Sequence, residues 1–132
     1  MPHVNLIAVL LCGVASLVLG GLWYSPALFA KAWQRGAGLS DEDAKSGNIA
    51  MIFGGAFVLS LIAAYVFGMF LGDKMPLAGT VGAGFAAGLC WVAASFGINY
   101  LFERRPLSLW LINGGYHTLQ FTLFGLILGL IR

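Results

Sequence analysis

Long stretches without charged side chains are the feature of this sequence that most constrains its fold. Asp, Glu, Lys and Arg are absent from residues 1–30, 46–72, 75–102 and 106–131. Each stretch is longer than the roughly 20 apolar residues that a helix needs to cross the hydrocarbon core of a bilayer. No stretch alternates polar and apolar residues, and a backbone in lipid must satisfy its own hydrogen bonds, so helices are favoured over strands.

These stretches predict an all-α membrane protein with four antiparallel transmembrane helices and a short interfacial helix after the first span. The predicted spans cover about residues 4–24, 48–71, 77–101 and 107–131 of a single integral-membrane domain, residues 1–132. The last two connections are only a few residues long. Short connections of this kind join neighbouring antiparallel helices.

The first connection is longer and carries two helix-start signals. Ser25 and Pro26 suit the N-cap and the first position of a helix, which predicts the interfacial helix at about residues 26–35. Its apolar side chains would lie among the headgroups and its cations would face water. Ser40, followed by three acidic residues, predicts a second capped helix that continues into the second span.

The composition excludes several classes of protein. Only 9% of the residues are charged, against about 25% in typical soluble domains, so the chain cannot cover a water-facing surface. A soluble enzyme, a disordered chain and a nucleic-acid-binding protein, which would need a basic patch, are therefore disfavoured. No catalytic motif is present, so the sequence weighs against an enzyme without settling the question, and it predicts no cofactor.

The distribution of Lys and Arg predicts the orientation in the membrane. Cytoplasmic loops carry an excess of these residues, and the first and third loops hold five of them against two on the opposite side. We therefore expect loops 1 and 3 in the cytoplasm and both termini outside, with dual topology left open by the small margin. The five are Lys31, Arg35, Lys45, Arg104 and Arg105, and the two are Lys74 and Arg132.

Glycine pairs at four-residue spacing predict close packing between helices. Lipid gives little hydrophobic drive for helix association, so small residues that let backbones approach become important. Two interpretations stay open: the pairs pack the four helices of one chain, or they form the interfaces of a homo-oligomer. The pairs are Gly68 with Gly72, Gly84 with Gly88, and Gly125 with Gly129.

A polar stripe on the fourth predicted span is the most informative candidate site. Asn113, His117 and Gln120 share one face of a helix, with Tyr116 beside them. Polar groups in lipid are costly unless they are hydrogen-bonded, so the stripe must face the bundle interior or a wet cavity. It could fix helix packing through interhelical hydrogen bonds, line a pore or small-molecule pocket, or supply a general base or metal ligand.

The spans themselves lack the groups that several membrane mechanisms require. They hold no Asp, Glu, Lys or Arg, which argues against proton-coupled antiport through a buried carboxylate and against intramembrane aspartyl proteolysis. Cys12 and Cys90 lie at a depth similar to that of His117, which makes the three weak candidates for a soft-metal site. We expect no metal, because ligand-spaced pairs are missing.

The turn before the fourth span concentrates surface charge. Glu103, Arg104 and Arg105 follow Asn99 and precede Pro106 at the predicted membrane surface. The two arginines could contact a lipid headgroup or an anionic substrate. They could equally anchor the topology, with Pro106 fixing the turn.

Two sequence blocks resemble a known family. The first is GLWYSP at residues 21–26, and the second joins NYLFERRP at residues 99–106 to LINGGYH at residues 111–117. Together they resemble domain-of-unknown-function family 1761, small bacterial membrane proteins, over nearly the whole chain. The resemblance implies a four-span protein of the bacterial inner membrane and assigns no activity. It also ties five residues to the signature blocks, where three spans could bring them together: Tyr24, Asn99, Glu103, Asn113 and His117.

These observations give two functional expectations. The first is an oligomeric membrane protein that binds or passes a small molecule or ion along the polar stripe. The alternative is a structural or regulatory membrane subunit that packs with a partner through the ridges that the glycine pairs form on its helices. Whether the stripe faces a pocket within one chain or a seam between subunits stays open. The candidate lining residues are Tyr24, Asn99, Asn113, Tyr116, His117 and Gln120.

Overall fold

The computed structural model describes residues 3–132, and all regular secondary structure in that range is helical. This confirms the all-α prediction. Residues 77–103 form one continuous helix in which a six-residue π-helical segment, Gly88–Ala93, separates α5 from α6. The helices are α1 (Leu6–Trp23), α2 (Ala30–Ala37), α3 (Asp41–Lys45), α4 (Ile49–Leu71), α5 (Leu77–Ala87), α6 (Ala94–Glu103) and α7 (Leu107–Leu130).

Asparagine and serine side chains begin three of these helices. Asn5 Oδ1 accepts from the Ile7 amide of α1 at 2.9 Å, and Asn48 Oδ1 accepts from the Met51 amide of α4 at 3.1 Å. Ser40 caps α3 as predicted, since its hydroxyl oxygen accepts from the Asp43 amide. Each cap satisfies a backbone donor that the first helical turn leaves without a partner.

Two predicted features of the first connection are wrong. The interfacial helix begins at Ala30, not at Pro26, because the preceding residues form turns and the Ser25 hydroxyl donates back to the Leu22 carbonyl at 2.7 Å instead of capping a new helix. The helix that starts at Asp41 does not continue into the second span. It ends at Lys45, and α4 starts separately after its own asparagine cap.

Three helices are long and apolar enough to cross a membrane: α1, α4 and the continuous helix Leu77–Glu103. The fourth predicted span corresponds to α7, which has 24 residues but is not among the three. Its polar side chains at Asn113, His117 and Gln120 lower its apolar character. The described residues therefore support three membrane-compatible helices plus a long helix of mixed polarity.

Helix α7 lies at the centre of the bundle and packs most extensively against α5. A Cβ atom at Gly84 would collide with the Phe121 carbonyl oxygen, and one at Gly125 would collide with the Thr80 carbonyl oxygen. Gly88 likewise lies against the backbone of His117 and Thr118. The glycine pairs of α5 and α7 therefore pack against each other within one chain, as the first of the two interpretations expected.

The glycine pair of α4 behaves differently. Gly68 packs against Val4 and Leu128, but Gly72 has φ +67° and no neighbouring atom of the described residues within 4 Å of the point where a Cβ atom would lie. Gly72 ends α4, where a positive φ favours glycine. Its predicted role in helix packing is therefore wrong.

The π-helical segment allows the continuous helix to present further small residues to α7 beyond Gly88. Beyond Gly88 the small residues in contact with α7 are Ala93, next to Gly114, and Gly97, next to Trp110. The step from 88 to 93 is one residue longer than the four-residue steps on either side, and a π turn accommodates that extra residue. The Trp110 indole donates to the Ala93 carbonyl at 2.7 Å, which ties this segment to α7.

Helix α4 has two unlike halves. Its C-terminal half packs on α1 and touches α7, and Ser60, Ala64, Phe67 and Gly68 are buried there. Residues 48–56 are all exposed. Toward its N-terminus α4 therefore stands away from the other described helices.

Candidate functional site

The polar residues of α7 form two layers of hydrogen bonds inside the bundle. In the first layer the Tyr24 hydroxyl donates to Asn113 Oδ1 at 2.6 Å, and Asn113 Nδ2 donates to the Tyr100 hydroxyl at 2.7 Å. Tyr24 follows α1, Tyr100 lies on α6 and Asn113 lies on α7. A single carboxamide therefore bridges the ends of two other helices.

The second layer is centred on Gln120, which is buried. Its Nε2 donates to Ser16 Oγ of α1 at 3.0 Å and to Ser60 Oγ of α4 at 3.4 Å. Its Oε1 lies 2.7 Å from His117 Nδ1. Gln120 therefore links α7 to α1 and α4. The described residues contain no buried side-chain polar atom without a partner.

These partners determine the tautomer of His117. The Ser16 hydroxyl donates to the Cys12 carbonyl at 3.0 Å, and Ser16 Oγ accepts from Gln120 Nε2. The amide nitrogen of Gln120 therefore faces the serines and its oxygen faces His117. A neutral imidazole then carries its proton on Nδ1 and presents Nε2 as an acceptor.

Aromatic rings enclose the imidazole on two sides. The Phe96 ring stacks on His117 with a centroid distance of 5.0 Å and an interplanar angle of 14°. The Tyr116 ring meets His117 edge-on at 4.9 Å, and the Tyr116 hydroxyl donates to the Ser16 carbonyl at 2.8 Å. These contacts hold the ring in one orientation.

The structure brings five of the six predicted lining residues together and separates the sixth. Tyr24, Asn113, His117 and Gln120 belong to the two layers, and Tyr116 lies beside them, bonded to the Ser16 carbonyl. Asn99 is exposed and lines a separate surface cavity with Trp91, Val92, Ser95 and Phe96. The next residue, Tyr100, takes the place that the sequence pattern assigned to Asn99.

The charged turn lies outside both layers. Glu103 Oε1 is 3.8 Å from Arg105 Nε, and Arg105 Nη1 donates to the Ala37 carbonyl at 3.2 Å. Arg104 adopts a left-handed conformation with φ 58° where α6 ends. The predicted convergence of Glu103 with Tyr24, Asn113 and His117 is therefore not found.

The weak metal candidates do not form a site. Cys12 is buried and Cys90 is exposed, and within residues 3–132 no group of three His, Cys, Asp or Glu side chains could hold an ion. The structure thus gives no support to a site built from these two cysteines and His117.

Sequence reasoning missed three members of the layers. Ser16, Ser60 and Tyr100 supply partners from α1, α4 and α6. Ser16 and Ser60 each lie four residues before another small residue, Gly20 and Ala64, and Tyr100 lies in the second signature block. A polar side chain within such a row of small residues was the available signal, but its rotation toward α7 cannot be read from spacing alone.

Comparison of the sequence with known protein families gives one match. A family model described as "Protein of unknown function (DUF1761)" matches residues 7–129. The chain belongs to the DUF1761 family. The match confirms the resemblance carried by the two sequence blocks, and its range contains every side chain of the two hydrogen-bonded layers. No curated protein and no solved structure matches this DUF1761 chain significantly.

Proposed function

We propose that this DUF1761 protein crosses the bacterial inner membrane four times and binds a small molecule or ion at His117. Helix α7, with 24 residues at about 1.5 Å each, reaches about 36 Å, which exceeds the hydrocarbon thickness of roughly 30 Å. Its polar side chains bond inside the bundle and so avoid exposure to lipid. Length and internal bonding together support α7 as the fourth span.

One observation supports binding at His117 in particular. Asn113, Tyr116 and Gln120 are engaged in hydrogen bonds within the chain, whereas Nε2 of His117 makes none among residues 3–132. Because no partnerless side-chain polar atom is fully buried in that range, this nitrogen is not completely enclosed by the chain. An acceptor that is left without a partner inside a bundle suits a ligand that donates one hydrogen bond.

The surroundings of the ring favour a ligand that is neutral or weakly charged. His117 stacks on Phe96 of α6, and its partner Gln120 touches Ser60 of α4. The ring therefore contacts α6 directly and is linked to α4 through Gln120. Asp, Glu, Lys and Arg are absent from the four predicted spans, so no fixed charge there would compensate a full charge on a ligand.

Native mass spectrometry of the purified chain in nanodiscs tests binding. We expect a reproducible extra mass on the wild type that is lost in His117→Ala. His3→Ala is the matched control, since it removes the other histidine of the chain and should keep the extra mass. A wild type that carries only lipid would contradict the proposal.

We further propose that the protein passes the bound compound across the membrane, which needs its own measurement. Liposomes that contain the protein and the mass-identified compound should release that compound faster than empty liposomes. His117→Ala should reduce the release to the background rate. If the compound binds but leaves these liposomes no faster than empty ones, the protein is a binding protein and transport is refuted.

The exposed half of α4 favours the alternative, a structural subunit, and we propose a second copy of the chain as its partner. The glycine pairs of α5 and α7 are used within one chain, but Gly54 and Gly55 have no neighbouring atom of the described residues within 4 Å of a Cβ position. If copies pack through this surface, Gly55→Leu should shift native mass spectra toward the monomer. Gly82→Leu, at an equally open site on α5, should not, and an equal shift would refute this interface.

A further inference from the structure

Two cavities lie next to each other along the seam between the continuous helix Leu77–Glu103 and α7. They share one wall residue, Trp110. The first has a volume of about 310 Å³ and lies at the turn between α6 and α7. The second has a volume of about 320 Å³ and lies deeper along the same helices.

The first cavity combines a cation with apolar walls. Arg105 lines it together with Leu101, Leu107 and the aromatic rings of Tyr100 and Trp110. It lies where the apolar helices give way to the charged turn, the height at which tryptophan and tyrosine are enriched in membrane proteins. A ligand here would meet a guanidinium at one end and hydrocarbon at the other.

Contacts within the chain hold the Arg105 side chain in place. Nη1 donates to the Ala37 carbonyl, and Nε lies 3.8 Å from Glu103. Neither contact uses Nη2, and Arg104 adds a second positive charge at the adjacent position. The local net charge is therefore positive, even though Glu103 offsets part of it.

The second cavity is almost wholly apolar. Phe85 and Leu89 line it from α5 and the π-helical segment, and Leu111 and Leu119 line it from α7. Trp110 lines both this cavity and the cavity at Arg105. Along the seam, polarity therefore falls from a cationic end to a hydrocarbon end, the order of groups in a phospholipid.

We propose that this seam is a binding site for an anionic phospholipid. The phosphate pairs with Arg105, and an acyl chain passes Trp110 into the second cavity. Charge complementarity selects the anionic headgroup, and the apolar walls select an amphiphile over inorganic phosphate. The proposal requires a membrane location, but it involves neither His117 nor a ligand at that residue.

The test is native mass spectrometry of the full chain with bound lipid, using phosphatidylglycerol and phosphatidylcholine of the same acyl chains. We expect the wild type to retain phosphatidylglycerol in preference. Arg105→Gln should lower that preference about fivefold, since one such charge contributes about 1 kcal/mol. Arg105→Lys keeps the charge and should keep most of the preference.

Lys74→Gln is the matched control, because it removes one charge from the turn at the other end of the bundle. It should leave the preference unchanged, and an equal loss in both Gln variants would show nonspecific attraction and overturn the site. Glycerol phosphate, a headgroup without chains, should not bind detectably. Its binding to the wild type but not to Arg105→Gln would replace the lipid site with a phosphate site.

Discussion

At the scale of single residues, Asn113 shows why an amide suits the interior of an apolar helical bundle. Its carboxamide accepts from one tyrosine and donates to another, so two hydroxyl groups on two helices are satisfied without a charge. A carboxylate could only accept and would be costly to bury, and leucine would leave both hydroxyl groups without this partner.

Replacing Asn113 should therefore destabilise the bundle. Asn113→Ala removes two interhelical hydrogen bonds and should lower the free energy of unfolding by about 1–4 kcal/mol, at about 0.6–2 kcal/mol for each bond. Equilibrium unfolding in detergent micelles measures the change. Asn99→Ala is the matched control, since Asn99 is exposed and should change stability little. Similar losses in the two variants would contradict the assigned role of the Asn113 bonds.

Single residues also show which parts of the site could be predicted from the sequence and which could not. The i, i+4, i+7 spacing of Asn113, His117 and Gln120 identified the polar face, because a period of 3.6 needs no knowledge of neighbouring helices. Choosing Asn99 over Tyr100 as a lining residue failed for the complementary reason. Adjacent helical residues point about 100° apart, and only the packed helix decides which one faces inward.

At the scale of elements, α5 and α7 pack so closely that each uses glycine where it meets the backbone of the other. The sequence located the glycine pairs but not their partners. It contains no sign of the π-helical segment, since one extra residue in a uniformly apolar helix leaves hydropathy unchanged. The boundary of α2 was also missed, because Ser25 bonds backward to the end of α1, and a serine alone does not reveal which way it bonds.

Adding one methyl group at Gly84 should disrupt this packing. The new Cβ of Gly84→Ala would meet the carbonyl group of Phe121, so the backbones must separate, at a cost of about 1–3 kcal/mol of unfolding free energy. At Gly82 the space is open, and Gly82→Ala should instead stabilise the helix by about 0.5–1 kcal/mol. The same unfolding measurement applies, and equal effects at the two positions would refute the close contact.

The π-helical segment should tolerate the loss of one residue. Deleting Trp91, which is 70% exposed, would place Ala93 and Gly97 at four-residue steps after Gly88, so an ordinary α-helix would still present them to α7. Deleting Ile62 of α4, which is 56% exposed, should rotate the rest of that helix by about 100°. Its buried face would then no longer pack on α1. Size-exclusion profiles and helical circular dichroism compare the two deletions. Equal disruption would contradict this explanation of the segment.

At the scale of the whole molecule, the number of crossings fixes where the two chain ends lie. Four spans place both ends on one side of the membrane, and three spans place them on opposite sides. The excess of Lys and Arg in loops 1 and 3 predicts that both ends lie outside.

Labelling with a membrane-impermeant thiol reagent should distinguish the two topologies. In a background of Cys12→Ala and Cys90→Ala, both His3→Cys and Arg132→Cys should react in intact cells. Lys45→Cys, in the first loop, should react only after permeabilisation. Reaction of only one of the two terminal positions would indicate three spans.

The central position of α7 has a consequence for biogenesis. This helix contacts α1, α4 and α5, yet ribosomes complete it only after those three have been made. Until it is made, Asn113 and Gln120 are missing, and Tyr100, Ser16 and Ser60 lack these hydrogen-bond partners. The two hydrogen-bonded layers can therefore form only after the last helix has been made, and α1, α4 and α6 must stay available to it until then.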